Sequence, residues 1–315
     1  TPSFGRWEDL EATERFFATQ AQPFVRQAAS GILAMGDDNA DVDLCKEYEI
    51  VTGKKWNSRN QNPRGFCVGF GNAKMATLAT AMMAKAREID WPGADVAIEP
   101  IYGGMRFEVG AKTYGSDLNR GGDGGVGAWA VEWLLKWGVL LMQGYTDVDF
   151  STYSMARCDQ YGRSGVPDIL EPIAKQHPLT KAALCAGAED VWSLIGQLHP
   201  VVHCSNQGFT MQRAQDGICR AIGQWAHCAG WSGRFTLKSG TRVIRYDNSW
   251  EGEEDGSGYL GEPITVAGAN GDIFLNGNQF LVPMEIVDRM CRNGRETYAM
   301  AGPKGFTARR PLFLI

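Results

Sequence analysis

The stretch that most constrains this chain is Gln61-Asn62-Pro63-Arg64-Gly65-Phe66-Cys67, which passes without a break into an apolar helical pattern. Met75, Leu78, Ala79, Met82, Met83 and Ala86 recur at spacings of three and four, which predicts a helix of about five turns starting near the cysteine. A thiol at a helix N-terminus faces unpaired N–H groups and the positive end of the dipole, both of which favour thiolate. Gly65, Gly69 and Gly71 let backbone approach a ligand closely, and Gln61 can offer its amide to a developing oxyanion. A nucleophile beside an oxyanion donor suits acyl transfer. A cysteine in an apolar helix is nevertheless more often a small buried hydrophobe. The reading therefore turns on whether a histidine and its orienting group follow in a compatible order.

The chain of 315 residues is long enough for a substantial core in one large or two modest domains. A net charge of −5 argues against nucleic acid as the main partner, and no apolar run is long enough to span a membrane. Thr1-Pro2-Ser3-Phe4-Gly5-Arg6 has no signal-peptide core, so an intracellular (cytoplasmic) or particle-associated protein is expected. Eight cysteines without a CxxC pair read as mostly reduced thiols.

Residues 6–20 pattern as a short amphipathic helix, and residues 44–51 as a helix end or a strand. A polar break covers residues 36–41, and an extended stretch is expected from Val96 to Gly104. Gly122-Asp123-Gly124-Gly125-Val126-Gly127 formally matches GxGxxG, but no apolar strand precedes it, which argues against a dinucleotide site. A helix over 128–137 closes at Gly138, with a strand over 139–142, a turn-rich region over 145–178 and a helix over 179–197. His199 and His203 have metal-like spacing, but Pro200 and two valines favour a strand, on which the pair lies too far apart for one ion. No metal or cofactor is expected. His227 lies inside the apolar run 222–231, and 241–250 alternates like a strand ending in Asn248-Ser249-Trp250. An acidic turn at 251–255, apolar runs at 273–275 and 280–283, a helix near 284–290 and an apolar end at 311–315 complete the pattern.

The order Gln61, Cys67, His227, Asn248 resembles that of the papain-like cysteine peptidases. The Gln-to-Cys spacing and the Asn-Ser-Trp motif are intact. Gly121 to Gly125 followed by Ala130 and Gly138 is similar to the family's glycine turn and short helix, and Leu198-His199-Pro200-Val201-Val202 to its Gly-Pro-Val strand. The resemblance covers roughly residues 60–250. It implies an α+β, papain-like fold in which a helical half, led by the Cys-bearing helix, packs against a β-barrel-like half with the active-site cleft between them. The expected layout is an N-terminal extension over 1–60, the helical half over 61–195 and the β-rich half with a C-terminal extension over 196–315.

By that resemblance Cys67 is the nucleophile, His227 its acid–base partner, Asn248 the orienter and Gln61 the oxyanion donor, with Trp250 shielding the Asn–His bond. The implied activity is hydrolysis of an amide in a peptide or protein substrate by a Cys67 thiolate paired with a His227 imidazolium. Asp247 beside Asn248 is the other candidate orienter, but successive strand residues face opposite sides and the motif favours Asn248. Val68 replaces the usual aromatic after the cysteine, and Glu251 the glycine after Asn-Ser-Trp. Gly230-Trp231 follows His227 sooner than expected, and no inhibitory propeptide is recognisable. These departures motivate a competing reading. In it the chain is a structural or binding protein of papain-like fold, such as a component of a phage virion or another assembly, with partners held by its terminal extensions. A third reading is a transamidase or a peptidoglycan or isopeptide hydrolase.

Overall fold

The computed structural model describes residues 5–20, 40–61, 63–111, 122–250, 258–294 and 296–309. The polar break at 36–39, Gly121, the acidic turn at 251–255 and the apolar end at 311–315 lie outside these residues. The predicted central helix is α3, Cys67–Lys85, buried along almost all of its length. It is preceded by α1 (Leu10–Gln20), the two-residue strand β1 (Val42–Asp43) and α2 (Leu44–Thr52). Asp43 caps α2 by accepting from the Lys46 N–H, and Gly53 ends it in the left-handed region.

Residues expected to be extended after Ile98 instead form α4, Glu99–Gly104, continued by a π-helical stretch Met105–Gly110. Pro100 falls in the first turn of α4, where its missing N–H removes no intrahelical bond, so the proline starts a helix rather than preventing one. The helix Gly127–Lys136 and its stop at Gly138 (φ 103°) follow the expected pattern. The strand expected at 139–142 is reduced to one bridge between Leu141 and Val96. The turn-rich region contains a helix, Met155–Ser164, capped by Ser154. The single helix expected over 179–197 divides into β2 (Ala182–Leu184) and the helix Ala188–Gly196.

The strands are β3 (Val201–Phe209), β4 (Ala221–Thr236), β5 (Arg242–Asp247), β6 (Ile264–Ala267), β7 (Asp272–Leu275), β8 (Gln279–Pro283) and β9 (Glu296–Met300). One antiparallel sheet runs β2-β9-β3-β4-β5-β8, with β1 added on β4, and β6-β7 form a separate hairpin. Among the described residues the sheet path is open, so the expected barrel does not close. The helix Met284–Gly294 crosses from β8 back to β9. Helix α3 packs on β4, and the contact is close because Gly230 has no side chain: a Cβ there would lie 2.3 Å from Met75 Cε. This approach brings the start of α3 and the middle of β4 together.

Candidate active site

Helix α3 packs against β4, and the candidate site is built from the two elements and the end of β5. Cys67 is the first residue of α3, while His227 sits in the middle of β4 and Asn248 directly follows β5. Cys67, His227, Asn248, Gln61 and Trp250 are all buried, none more than 3% exposed. His227 Nε2 lies 2.6 Å from Asn248 Oδ1, which also accepts the Ser249 backbone N–H at 2.8 Å. With Oδ1 receiving two donors, the Asn248 amide is fixed and His227 carries its proton on Nε2, which leaves the lone pair on Nδ1. Trp250 covers this bond, its ring centroid 4.7 Å from that of His227. Gln61 is anchored by its own N–H to the Ser249 carbonyl at 2.8 Å, and its side-chain amide donates to the Arg64 carbonyl at 3.2 Å.

Asp247 turns away from His227, as strand alternation requires. Its Oδ1 pairs with Lys74 Nζ at 2.6 Å, and its Oδ2 accepts from Trp56 Nε1 at 2.7 Å and Gln279 Nε2 at 2.6 Å. Lys74 also donates to the Asp247 and Asn248 carbonyls, at 2.9 and 2.7 Å. Burial pushes the Asp247 carboxyl up, but Lys74, Gln279 and Trp56 together more than offset this and hold it below its ordinary value. Lys74 lies two turns beyond Cys67 on α3, so this ion pair sets the register between the thiol-bearing helix and the strand end that carries Asn248. The sequence held a signal for it. Lys74 is the only charge on α3 before its last turn, and a buried lysine requires a partner.

The N-terminal segment lies across the seam. The Gly125 N–H donates to the Gly5 carbonyl at 2.9 Å, the Trp7 N–H to the Gly125 carbonyl at 2.8 Å, and the Arg6 N–H to the Ala226 carbonyl, next to His227, at 3.2 Å. Gly5, at φ 100°, rests on Gly65, two residues before Cys67, with no space for a Cβ on it. The Arg6 side chain enters the interior and meets Glu296. Neither this strap nor its side-chain partner was expected from the sequence, because the pair is 290 residues apart.

Both the thiol and the imidazole are pushed toward their neutral forms by burial. Burial pushes the Cys67 thiol up to about 12, only partly offset by the Cys228 N–H and by Arg6. Burial pushes His227 down to about 3 against the raising effect of its Asn248 bond. The expected thiolate–imidazolium pair is thus not the state with the strap in place. Cys228, the next residue after His227, is disulfide-bonded to Cys204 directly opposite on β3. The other six cysteines are free, in line with the expectation of mostly reduced thiols, and this pair is the exception. His203 stacks on Trp231 and bonds Thr297 Oγ1 at 2.7 Å, and no cluster of three metal-ligating side chains occurs among the described residues. None of the described helices is long and apolar enough to cross a membrane.

No protein-family model matches the chain, and no curated protein matches its sequence. Solved structures do match. Xylellain, a cysteine protease from Xylella fastidiosa, superposes with a TM-score of 0.52 at 13% identity, over 83% of this chain and 85% of its own. Procathepsin B S9 from Trypanosoma congolense superposes with a TM-score of 0.51 at 15% identity, over 95% of this chain and 86% of its own. Identities this low speak for architecture alone, and on that ground the chain has the fold of the papain-like cysteine proteases.

Proposed function

We propose that the chain is a cysteine peptidase or related amide hydrolase acting through Cys67, His227 and Asn248, with Gln61 as oxyanion donor. The observation that carries this reading is the 2.6 Å bond from His227 Nε2 to Asn248 Oδ1, on the strand against which the Cys67 helix packs, where the Cys67 thiol meets the Cys228 N–H. Such a bond leaves Nδ1 as the proton acceptor. In the first step Cys67 Sγ forms a bond to the substrate carbonyl carbon as its proton passes to His227 Nδ1. The oxyanion is held by the Cys67 backbone N–H and, once its amide leaves the Arg64 carbonyl, by Gln61. The imidazolium then protonates the leaving amine as the C–N bond breaks. Water, deprotonated by His227, releases the acyl group from sulfur. Chemistry requires the strap to lift, since the site is closed while it is in place.

The buried, neutral site favours one alternative, a papain-like scaffold that binds or builds rather than cleaves. Peptide-resolved alkylation of the full chain by iodoacetamide from pH 4 to 9, with and without a fluorogenic peptide-amide mixture, separates the two. A peptidase labels preferentially at Cys67 in the opened fraction and releases fluorophore, and both signals disappear in Cys67→Ala and His227→Ala. Cys67 labelling no faster than that of the other free thiols, with no turnover, would leave only the scaffold.

A further inference from the structure

We propose that Glu296 is the floor of a specificity pocket for an arginine side chain of the substrate, filled in this state by the chain's own Arg6. This rests on the reading of Cys67 as the nucleophile.

The strap is held in two different ways. Its three backbone bonds, to Gly125 and Ala226, could be made by any extended peptide laid along the same path. Main-chain pairing of this kind supplies affinity without sequence preference, and side-chain pockets along the path supply the preference. Only one side chain of the strap reaches a charged partner in the interior. Arg6 and Glu296 are each 1% exposed, with Arg6 Nε 3.1 Å from Glu296 Oε2 and Nη1 2.8 Å from Asn206 Oδ1. The other carboxylate oxygen is already committed, accepting from Thr13 Oγ1 at 3.0 Å and from the Ala128 N–H at 3.3 Å. Glu296 is therefore fixed with one oxygen turned to the incoming side chain, and Asn206 supplies a second acceptor that matches a guanidinium fork. Glu296 lies opposite Cys204 in β9–β3 pairing, and Cys204 lies opposite Cys228, the residue after His227, while the Arg6 charge that Glu296 receives is close enough to lower the Cys67 thiol.

A neutral side chain in this position would leave a buried carboxylate without its counter-charge. Selection thus comes as much from the penalty on the wrong side chain as from attraction of the right one. Glu8, 3.7 Å from the Arg6 guanidinium and itself exposed, adds negative charge at the mouth.

The test uses two vinyl-sulfone peptides differing only in arginine against citrulline, its uncharged isostere. The substituted residue is moved through the three positions nearest the warhead. They are reacted with the full-length Arg6→Ala chain, and adducts are located by peptide mass spectrometry. At one position the arginine probe should label Cys67 about tenfold faster, the scale of a lost charge-assisted pair. In Arg6→Ala with Glu296→Gln the advantage should fall below about twofold. Equal rates at every position, or a preference that survives Glu296→Gln, would overturn the proposal.

Should Arg6→Ala not fold, Arg6→Lys, which keeps the carboxylate paired, takes its place with the same readout. If no probe labels Cys67, the nucleophile reading fails, and the pocket is judged without it. Ethylguanidinium should raise the Tm of the Arg6 variant, isosteric ethylurea should not, and Glu296→Gln should abolish the effect. No rescue by ethylguanidinium sinks the pocket as well.

Discussion

Two buried ion pairs flank the candidate site, and they are built differently. Lys74–Asp247 joins α3 to the end of β5. Both side chains are fully buried, and the remaining Asp247 oxygen is taken by Trp56 and Gln279. Arg6–Glu296 is buried to the same degree, but its arginine comes from a segment without helical or ladder structure before Leu10, attached to the site by three backbone bonds. The first pair cannot part without separating helix from sheet. The second can part when the strap lifts and water reaches Glu296. One is permanent and positions Asn248, while the other behaves as a bound ligand that happens to be covalently tethered. Equal burial therefore does not imply an equal role.

The largest expected effect follows from breaking the permanent pair. Lys74→Met strands Asp247 as a buried charge and should lower stability by about 3–5 kcal/mol, read from the urea midpoint. The double variant Lys74→Met, Asp247→Leu should recover only part of this, because Trp56 and Gln279 lose their acceptor. Full recovery would show that the network holds nothing beyond its own charges. Arg6→Ala should cost global stability less, about 1–2 kcal/mol. It should raise hydrogen exchange at the Trp7 and Gly125 amides while β5 stays protected. A loss as large as that of Lys74→Met would make the strap part of the core and erase the contrast.

Acid should act on the strap next. His227 is held down at about 3 by burial and regains a value of about 6.5 when water enters. The closed state therefore refuses a proton that the opened state accepts. Its advantage is complete above about pH 6.5 and shrinks by up to ~1.4 kcal/mol per unit as the pH falls toward about 3. Protection of the Trp7 amide, corrected for intrinsic exchange, should decrease over that window. Protection unchanged between pH 7 and 4 would mean that opening does not expose His227. The smallest effect belongs to an exposed pair far from either seam. Lys136→Gln removes its i,i+4 contact to Glu132 and should change stability by no more than about 0.5 kcal/mol.

The helix from Cys67, the strand over 200–204 and the strand leading to Asn248 were legible because each is a local pattern, a periodicity bounded by turn residues. That only one of Asn248 and Asp247 can face His227 also followed from a local rule, the alternation of strand side chains, while the choice of Asn248 came from the Asn-Ser-Trp motif. Other elements were read wrongly where local preference and context disagreed. Pro100 suggested an extended chain but opens a helix, and Ala182–Leu184, good helix formers, pair with β9 because that edge of the sheet is available. The Cys204–Cys228 bond could not be read from spacing, since it depends on the β3–β4 register.

By itself, then, the sequence determined which reactive side chains the chain carries, in which order, and on which helix and strands they fall, because propensity and periodicity act over a few residues. Tertiary structure alone decided their protonation and access. Desolvation depends on everything that packs around a group. The strap that lies across the seam and the carboxylate that receives Arg6 come from opposite ends of the chain.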